Sequence, residues 1–259
     1  EDSPTVALSP SELVDEGPAT VLFSKHGWVR AQKGHDVNVE SLKFKTNDSL
    51  MMSLETQNNL PVIMIGSQGR CFAYPVHKLP NGKSAGDPIN SKIQLQGGES
   101  ITHLLPFEEA KKVLFTTRKG LGFISPIAAM NTKVKKGREL INLTEGDEIL
   151  TPHILTGQET EVAILTQAGR VIVFPLNSIN EYEKAKGMQL IGIKDDEFNA
   201  GHDSVVDIMP FEKGQSITIL LGKRRYVLDD EKLDTYRSSR ARRGTFFEGK
   251  RPKSRLSFD

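Results

Sequence analysis

The stretch 164-ILTQAGRVIVFPLNSI-179 decides the fold. With Glu161–Val162–Ala163 before it, "EVAILT" is a β-branched, apolar strand bounded by turn residues. "QAGR" is a tight turn, in which Gly169 can take a positive φ. "RVIVF" is the returning strand. Pro175 then opens one helical turn, and Ile179, four residues on, packs that turn back against the hairpin.

The same grammar recurs without gaps at 64-MIGSQGRCFAYPVHKL-79, 115-FTTRKGLGFISPIAAM-130 and 218-TILLGKRRYVLDDEKL-233. The turn position reads Gly69, Gly120 and Gly169, then Lys223. Six residues later stand Pro75, Pro126, Pro175 and Asp229, and four further on Leu79, Met130, Ile179 and Leu233. An earlier copy at 21–37 carries Gly27, Lys33 and Val37 at these offsets. Outer strands are expected beside the hairpins: "ITHLLPF" and "RELINL" in the third unit, "SVVDIMPF" and "GTFF" in the fifth. About four strands per unit, repeated about every 50 residues, is the pattern of a propeller. The expected fold is therefore all-β, with five blades over residues 20–247. Residues 1–19 read as an acidic linker with a short capped helix at 9–14, and residues 248–259 as a mobile basic tail. An irregular sandwich of hairpins is the alternative, and the ungapped copies weigh against it.

A second glycine follows each helical turn: Gly86, Gly137, Gly187 and Gly244, spaced by 51, 50 and 57. Basic residues gather before it, namely Lys83; Lys133, Lys135 and Lys136; Lys184 and Lys186; Arg237, Arg240, Arg242 and Arg243. The whole chain is nearly neutral, with 34 basic and 33 acidic residues, yet its charge is segregated. Residues 1–18 hold five acids and no base, and from Lys111 to Arg138 there are eight bases and no acid. Cations repeated at one point of successive blades would form a positive edge able to follow a phosphate backbone.

Other classes find little support. The apolar runs are too short to span a bilayer, and the acidic start does not read as a signal peptide. Cys71 is the sole cysteine, so no internal disulfide forms, which suits a reducing compartment. It sits within a strand and is expected to be buried. The lack of an initial Met reads as a fragment of a longer chain. No Walker loop, Gly-x-Ser-x-Gly elbow or Cys cluster is present. "GHD" occurs at 34–36 and 201–203, but neither copy has a third ligand at a metal-site spacing, and no metal site is expected.

These residues resemble the C-terminal domain of bacterial type IIA topoisomerase A subunits, nearer the topoisomerase IV branch than gyrase. The resemblance covers essentially the whole chain. It is carried by "GWVRAQKGHD" (27–36), "ILTQAGRVIVFP" (164–175), "KGMQLIGI" (186–193), "GKRRYVL" (222–228) and "RARRGT" (240–245). It implies a β-pinwheel, a propeller-like fold whose blades exchange strands. It also implies binding and bending of double-stranded DNA, with no catalysis in this domain. The catalytic Tyr would lie upstream, and ATP and Mg²⁺ would be used by other domains of the parent. The implied partners are the N-terminal catalytic core of the same polypeptide and the ATPase subunit of a heterotetramer, with chromosome-organising proteins as further candidates. The implied place is cytoplasmic, at the nucleoid. Gyrase carries a Gln-Arg-Arg-Gly-Gly-x-Gly box in its first blade; here that place holds Phe44, between Lys43 and Lys45. The expectation is decatenation and relaxation without negative supercoiling. A propeller-like scaffold for protein partners and a gyrase-type DNA-wrapping domain are the alternatives.

The leading DNA-binding candidates are Lys133, Lys135, Lys136, Arg138, Lys184, Lys186, Arg240, Arg242 and Arg243. Arg30, Lys33, Arg118 and Lys119 come second. Arg70, Arg170 and Arg224 follow the turns and can reach phosphate or pair with acids of the next blade; both readings stay open. Trp28 takes the same slot and reads as a packing residue.

Overall fold

The structure is a computed structural model and describes residues 14–259. The capped helix expected at 9–14 lies, apart from Val14, outside the described residues. Five antiparallel hairpins follow one another. They are Pro18–Ser24 with Trp28–Lys33, Pro61–Gly66 with Arg70–Pro75, Lys112–Thr116 with Leu121–Pro126, Glu161–Thr166 with Arg170–Pro175, and Ile217–Leu221 with Arg224–Leu228. In the fourth hairpin, Ile164 lies opposite Ile172 and Leu165 opposite Val171. The helical turns form where Pro or Asp starts them: Val76–Lys78, Ile127–Met130, Leu176–Ser178 and Asp230–Leu233. Asp229 caps the last of these, its carboxylate accepting the Lys232 N–H at 2.9 Å. Leu79, Met130, Ile179 and Leu233 are all buried, as the four-residue offset requires.

Each of the first four hairpins is widened into a four-stranded sheet. Leu50–Gln57, Ile101–Pro106, His153–Leu155 and Val205–Phe211 add to the first strand of hairpins one to four. The two-residue strands Asp87–Pro88, Arg138–Glu139, Met188–Gln189 and Thr245–Phe246 add to the second strand. Each short strand lies beyond the next hairpin in sequence, so the chain builds one hairpin before returning to complete the previous sheet. This corrects the expected grouping. "ITHLLPF" and "RELINL" complete the sheet of the second hairpin rather than the third, and "SVVDIMPF" and "GTFF" that of the fourth rather than the fifth. Local patterning marks such a segment as a strand but does not say which flanking hairpin it joins.

The exchange explains the second repeated glycine. Gly137 has φ +69°, and a Cβ there would stand 2.5 Å from the Cys71 carbonyl oxygen and 2.7 Å from the Phe72 ring. Gly86, Gly187 and Gly244 press equally closely on Val29, Gly122 and Val171 of the strands they join. The glycine lets the returning chain lie flat on a sheet edge, which no side chain permits.

The fifth sheet has three strands, its third being Leu256–Phe258 from the segment expected to be a mobile tail. That expectation is corrected. Leu256 is buried, its strand pairs with Ile219–Leu221, and the Phe258 N–H donates to Asp207 Oδ2 at 3.0 Å.

The chain divides into two compact units. One holds the described residues through Glu108 together with Met130–Arg138; the other holds Glu109–Ala129 and Glu139–Asp259. In the first, Phe23, Val29, Met64, Phe72, Val76 and Ile89 form the core. The second has two apolar layers. Val162, Ile164, Ile172 and Phe174 face one, while Ala163, Leu165, Val171 and Val173 face the other. The fourth hairpin is thus buried on both faces, which is why it reads as a continuous apolar run instead of alternating. Truncating a buried ring such as Phe174 would cost about 3–5 kcal/mol. Among the described residues, no helix is long and apolar enough to cross a membrane.

Candidate nucleic-acid interface

The corner loops lead from each helical turn to the exchanged strand. In the loop over 131–138 the backbone is tied down. Lys135 O accepts the Gln94 N–H at 2.8 Å, Lys136 O accepts from the Arg70 guanidinium, and Gly137 N–H donates to Val134 O at 2.8 Å. With the backbone held, Lys133, Lys135 and Lys136 project outward. All three are exposed, and no carboxylate among the described residues pairs with their ammonium groups. Lys186 and Arg242 are likewise exposed and without a carboxylate partner. Arg138 is half-buried beside Cys71. Burial pushes the Cys71 thiol up to about 11, as expected of an inert cysteine.

Other candidates are committed elsewhere. Lys184 pairs with Glu139 at 2.8 Å, both side chains remaining half in water. Arg240 donates to the carbonyls of Ser178 at 3.1 Å and Gln189 at 2.6 Å. Arg243 donates to Gly192 O at 2.9 Å and pairs with Glu197 at 2.9 Å. These two arginines hold the loop that leads into the exchanged strand, so the sequence reading of them as free cations is corrected. Arg237, also in the basic run, is held by Glu161, Asp230 and Asp234 at 3.1, 2.5 and 2.6 Å. Burial opposes its charge, but those three carboxylates outweigh burial and hold its pKa above the ordinary arginine value.

Arg30 is the clearest correction. Its side chain is 2% exposed, donates to Ser84 O and lies 4.9 Å from the Phe44 ring centre. It cannot reach a duplex; position alone made it look like a surface cation. Lys33 is exposed and lines a groove of about 630 Å³ with Lys43 and Lys83. Arg118 and Lys119 both lie against the Phe198 ring, at 5.4 and 5.1 Å. Lys119 also donates to Thr144 Oγ1 at 2.9 Å, and Arg118 lies 4.0 Å from Glu148, so neither is an unengaged cation.

The turn arginines resolve in favour of pairing for two of three. Arg70 meets Glu99 at 2.7 Å, and Arg170 lies 3.9 Å from Asp203 and 4.4 Å from the Phe246 ring centre. Both acids precede an outer strand of the same sheet as their arginine, not of the next blade. Arg224 is exposed.

These acids belong to a repeat that the sequence reading missed. Asp48, Glu99, Asp147 and Asp203 each stand two residues before an apolar residue, in "DSL", "ESI", "DEI" and "DSV". Asp48, Asp147 and Asp203 accept the N–H of the residue before the turn glycine, from His26, Lys119 and Ala168, each at 3.0 Å. Glu99 instead takes the Arg70 guanidinium. Burial works against ionisation of Asp48, but bonds from Ser24, His26 and Ser49 outweigh it and hold its pKa below the ordinary carboxylate value. The "GHD" at 201–203 therefore supplies a turn anchor. In the other copy, His35 Nε2 lies 2.9 Å from Thr56 O. Four short matches at a spacing of about 50 residues were the available signal.

The comparisons agree with this geometry. The family model described as "DNA gyrase C-terminal domain, beta-propeller" matches residues 111–155 and 160–212. The A subunit of DNA topoisomerase 4 from Escherichia coli (strain K12) is 30% identical over 253 residues, covering 98% of this chain and 34% of that protein. Its counterpart from Haemophilus influenzae is 31% identical over 238 residues, covering 92% and 32%. The chain thus spans about a third of the length of these relatives. Among solved structures, the E. coli ParC C-terminal domain superposes with a TM-score of 0.85 at 30% identity, covering 94% of this chain and 99% of that one. A gyrase A C-terminal domain gives 0.60 at 15% identity, covering 88% and 76%, which speaks to fold alone. With strand-exchanged sheets, glycine-bearing corners and near-complete coverage of the solved domain, this chain belongs to the family of ParC C-terminal domains, those of the topoisomerase IV A subunits.

Proposed function

We propose that this chain is a non-catalytic domain that binds and bends duplex DNA and presents it to the strand-passage core of a topoisomerase IV. The supporting observation is the set Lys133, Lys135, Lys136, Lys186 and Arg242. These cations are exposed, free of carboxylates, and carried on loops at one recurring point of the fold. Such cations bind phosphates by releasing counterions and read no base sequence. We read the five sheets as five blades of a pinwheel, whose corner loops supply the phosphate contacts. The catalytic Tyr, the ATP and Mg²⁺ sites and the ATPase subunit belong to the rest of the parent heterotetramer, acting at the nucleoid, where chromosome-organising proteins are further candidate partners. Phe44 stands where gyrase carries its glycine-rich box, so the parent decatenates and relaxes DNA without introducing negative supercoils.

The test is fluorescence anisotropy of a labelled linear duplex, titrated with wild type and with K133E/K135E/K136E across about 50–200 mM salt. Removing three phosphate-binding cations lowers the slope of log affinity against log salt by about 2.7 and weakens binding tenfold or more. Unchanged affinity and slope would refute the assignment.

A further inference from the structure

We propose that the C-terminal segment Arg251–Arg255 forms, with the hairpin-turn end of the third and fourth hairpins, a second groove for the DNA phosphodiester backbone. The ligand class rests on the reading above; the site is separate from the corner loops. The groove has a volume of about 620 Å³. Arg251, Lys253 and Arg255 line one wall, all exposed and none paired with a carboxylate among the described residues. Facing them are Arg118 and Ser204. Glu148 is the single acid in the lining, 4.0 Å from Arg118. Four cations against one carboxylate leave a groove of strong positive potential.

The wall is anchored at both ends. Pro252 covers the fourth turn so closely that a Cβ on Gly169 would stand 2.1 Å from its ring. Arg255 O accepts the Gly222 N–H at 3.3 Å, and Leu256 is buried in the fifth sheet. Cations on a fixed backbone lose less entropy on pairing than cations on a loose tail, and arginine forks suit phosphate oxygens. No aromatic ring lines the groove, so it has no platform for stacking bases. A duplex held by the corner loops would present further phosphates at high local concentration, which favours DNA over an acidic protein as the occupant.

The variant R251Q/K253Q/R255Q removes the charges and spares the backbone bonds of this segment. In the same anisotropy series its salt slope should fall by about 1.8–2.7, the change expected when two or three phosphates are no longer neutralised. This effect should add to that of K133E/K135E/K136E when the two are combined. As a readout that needs no variant, acetylation of Lys253 in the wild-type protein should be suppressed by linear duplex. It should not be suppressed by inorganic phosphate or polyglutamate at matched ionic strength. An unchanged slope and unprotected Lys253, with the corner variant still impaired, would overturn the second groove and leave the corner assignment standing. If neither variant changes the slope, both fail. Equal protection by phosphate or by polyglutamate would overturn the assignment in favour of a free-anion pocket or an acidic-protein dock.

Discussion

Gly187 and Gly157 provide a controlled pair for the strand exchange. Both have φ +95°. A Cβ at Gly157 meets nothing within 4 Å, whereas at Gly187 it would stand 2.7 Å from the Gly122 nitrogen and 3.1 Å from its Cα and carbonyl oxygen. Gly157→Ala therefore carries only the left-handed backbone penalty of roughly 1–2 kcal/mol. Gly187→Ala carries the same penalty and must also push Met188–Gln189 away from Leu121–Gly122. Backbone cannot rotate aside as a flexible side chain does, so the added cost should be about 1–3 kcal/mol, as for overpacking. Urea unfolding followed by far-UV circular dichroism reads the difference as a lower midpoint for Gly187→Ala. Amide exchange at Met188 and Gln189 should accelerate in that variant alone. Equal midpoints for the two variants would show that the exchanged strand does not need the close approach, and the account of the second repeated glycine would fall.

Three further outcomes follow from the same geometry. Arg70→Met strands Glu99, whose side chain is fully buried, and should cost about 3–5 kcal/mol; adding Glu99→Gln should recover much of it, giving a large coupling in a double-mutant cycle. Arg30→Ala should lower the unfolding midpoint and leave the DNA salt slope unchanged, the reverse of what is expected for Lys136→Glu. For Asp48, a folded pKa below the unfolded value means that its contribution is fully present above the unfolded value, about 3.9, and is lost as pH falls through the folded one. Acid titration followed by Trp28 fluorescence should thus show Asp48→Asn less stable than wild type at neutral pH, the gap closing in acid.

How far the site was legible depended on which property of a residue mattered. Lys133, Lys135 and Lys136 are exposed, on a loop inside the acid-free run from Lys111 to Arg138 that the sequence displays. Arg30, Arg240 and Arg243 carry the same formal charge in the same repeat and are structural. Their partners are Ser84, Ser178, Gln189, Gly192 and Glu197, most of them some 50 residues distant. Charge is a property of one residue, whereas availability depends on whatever else the fold brings alongside. The buried acids Asp48, Glu99, Asp147 and Asp203 escaped notice for the converse reason. Each looks like an ordinary turn residue until its N–H or guanidinium partner is known.

What the sequence settled by itself was everything governed by near neighbours: five hairpins, their turns, the helical turn after each of the last four, and the period that repeats them. Those features follow from side-chain alternation, glycine at positive φ and proline at a fixed φ, all local interactions. The tertiary structure alone decided which hairpin each outer strand completes, that the last strand closes the fifth sheet, and which arginines remain free to meet a phosphate. Those outcomes turn on hydrogen bonds and burial between segments far apart in the chain, where composition carries no record of the partner.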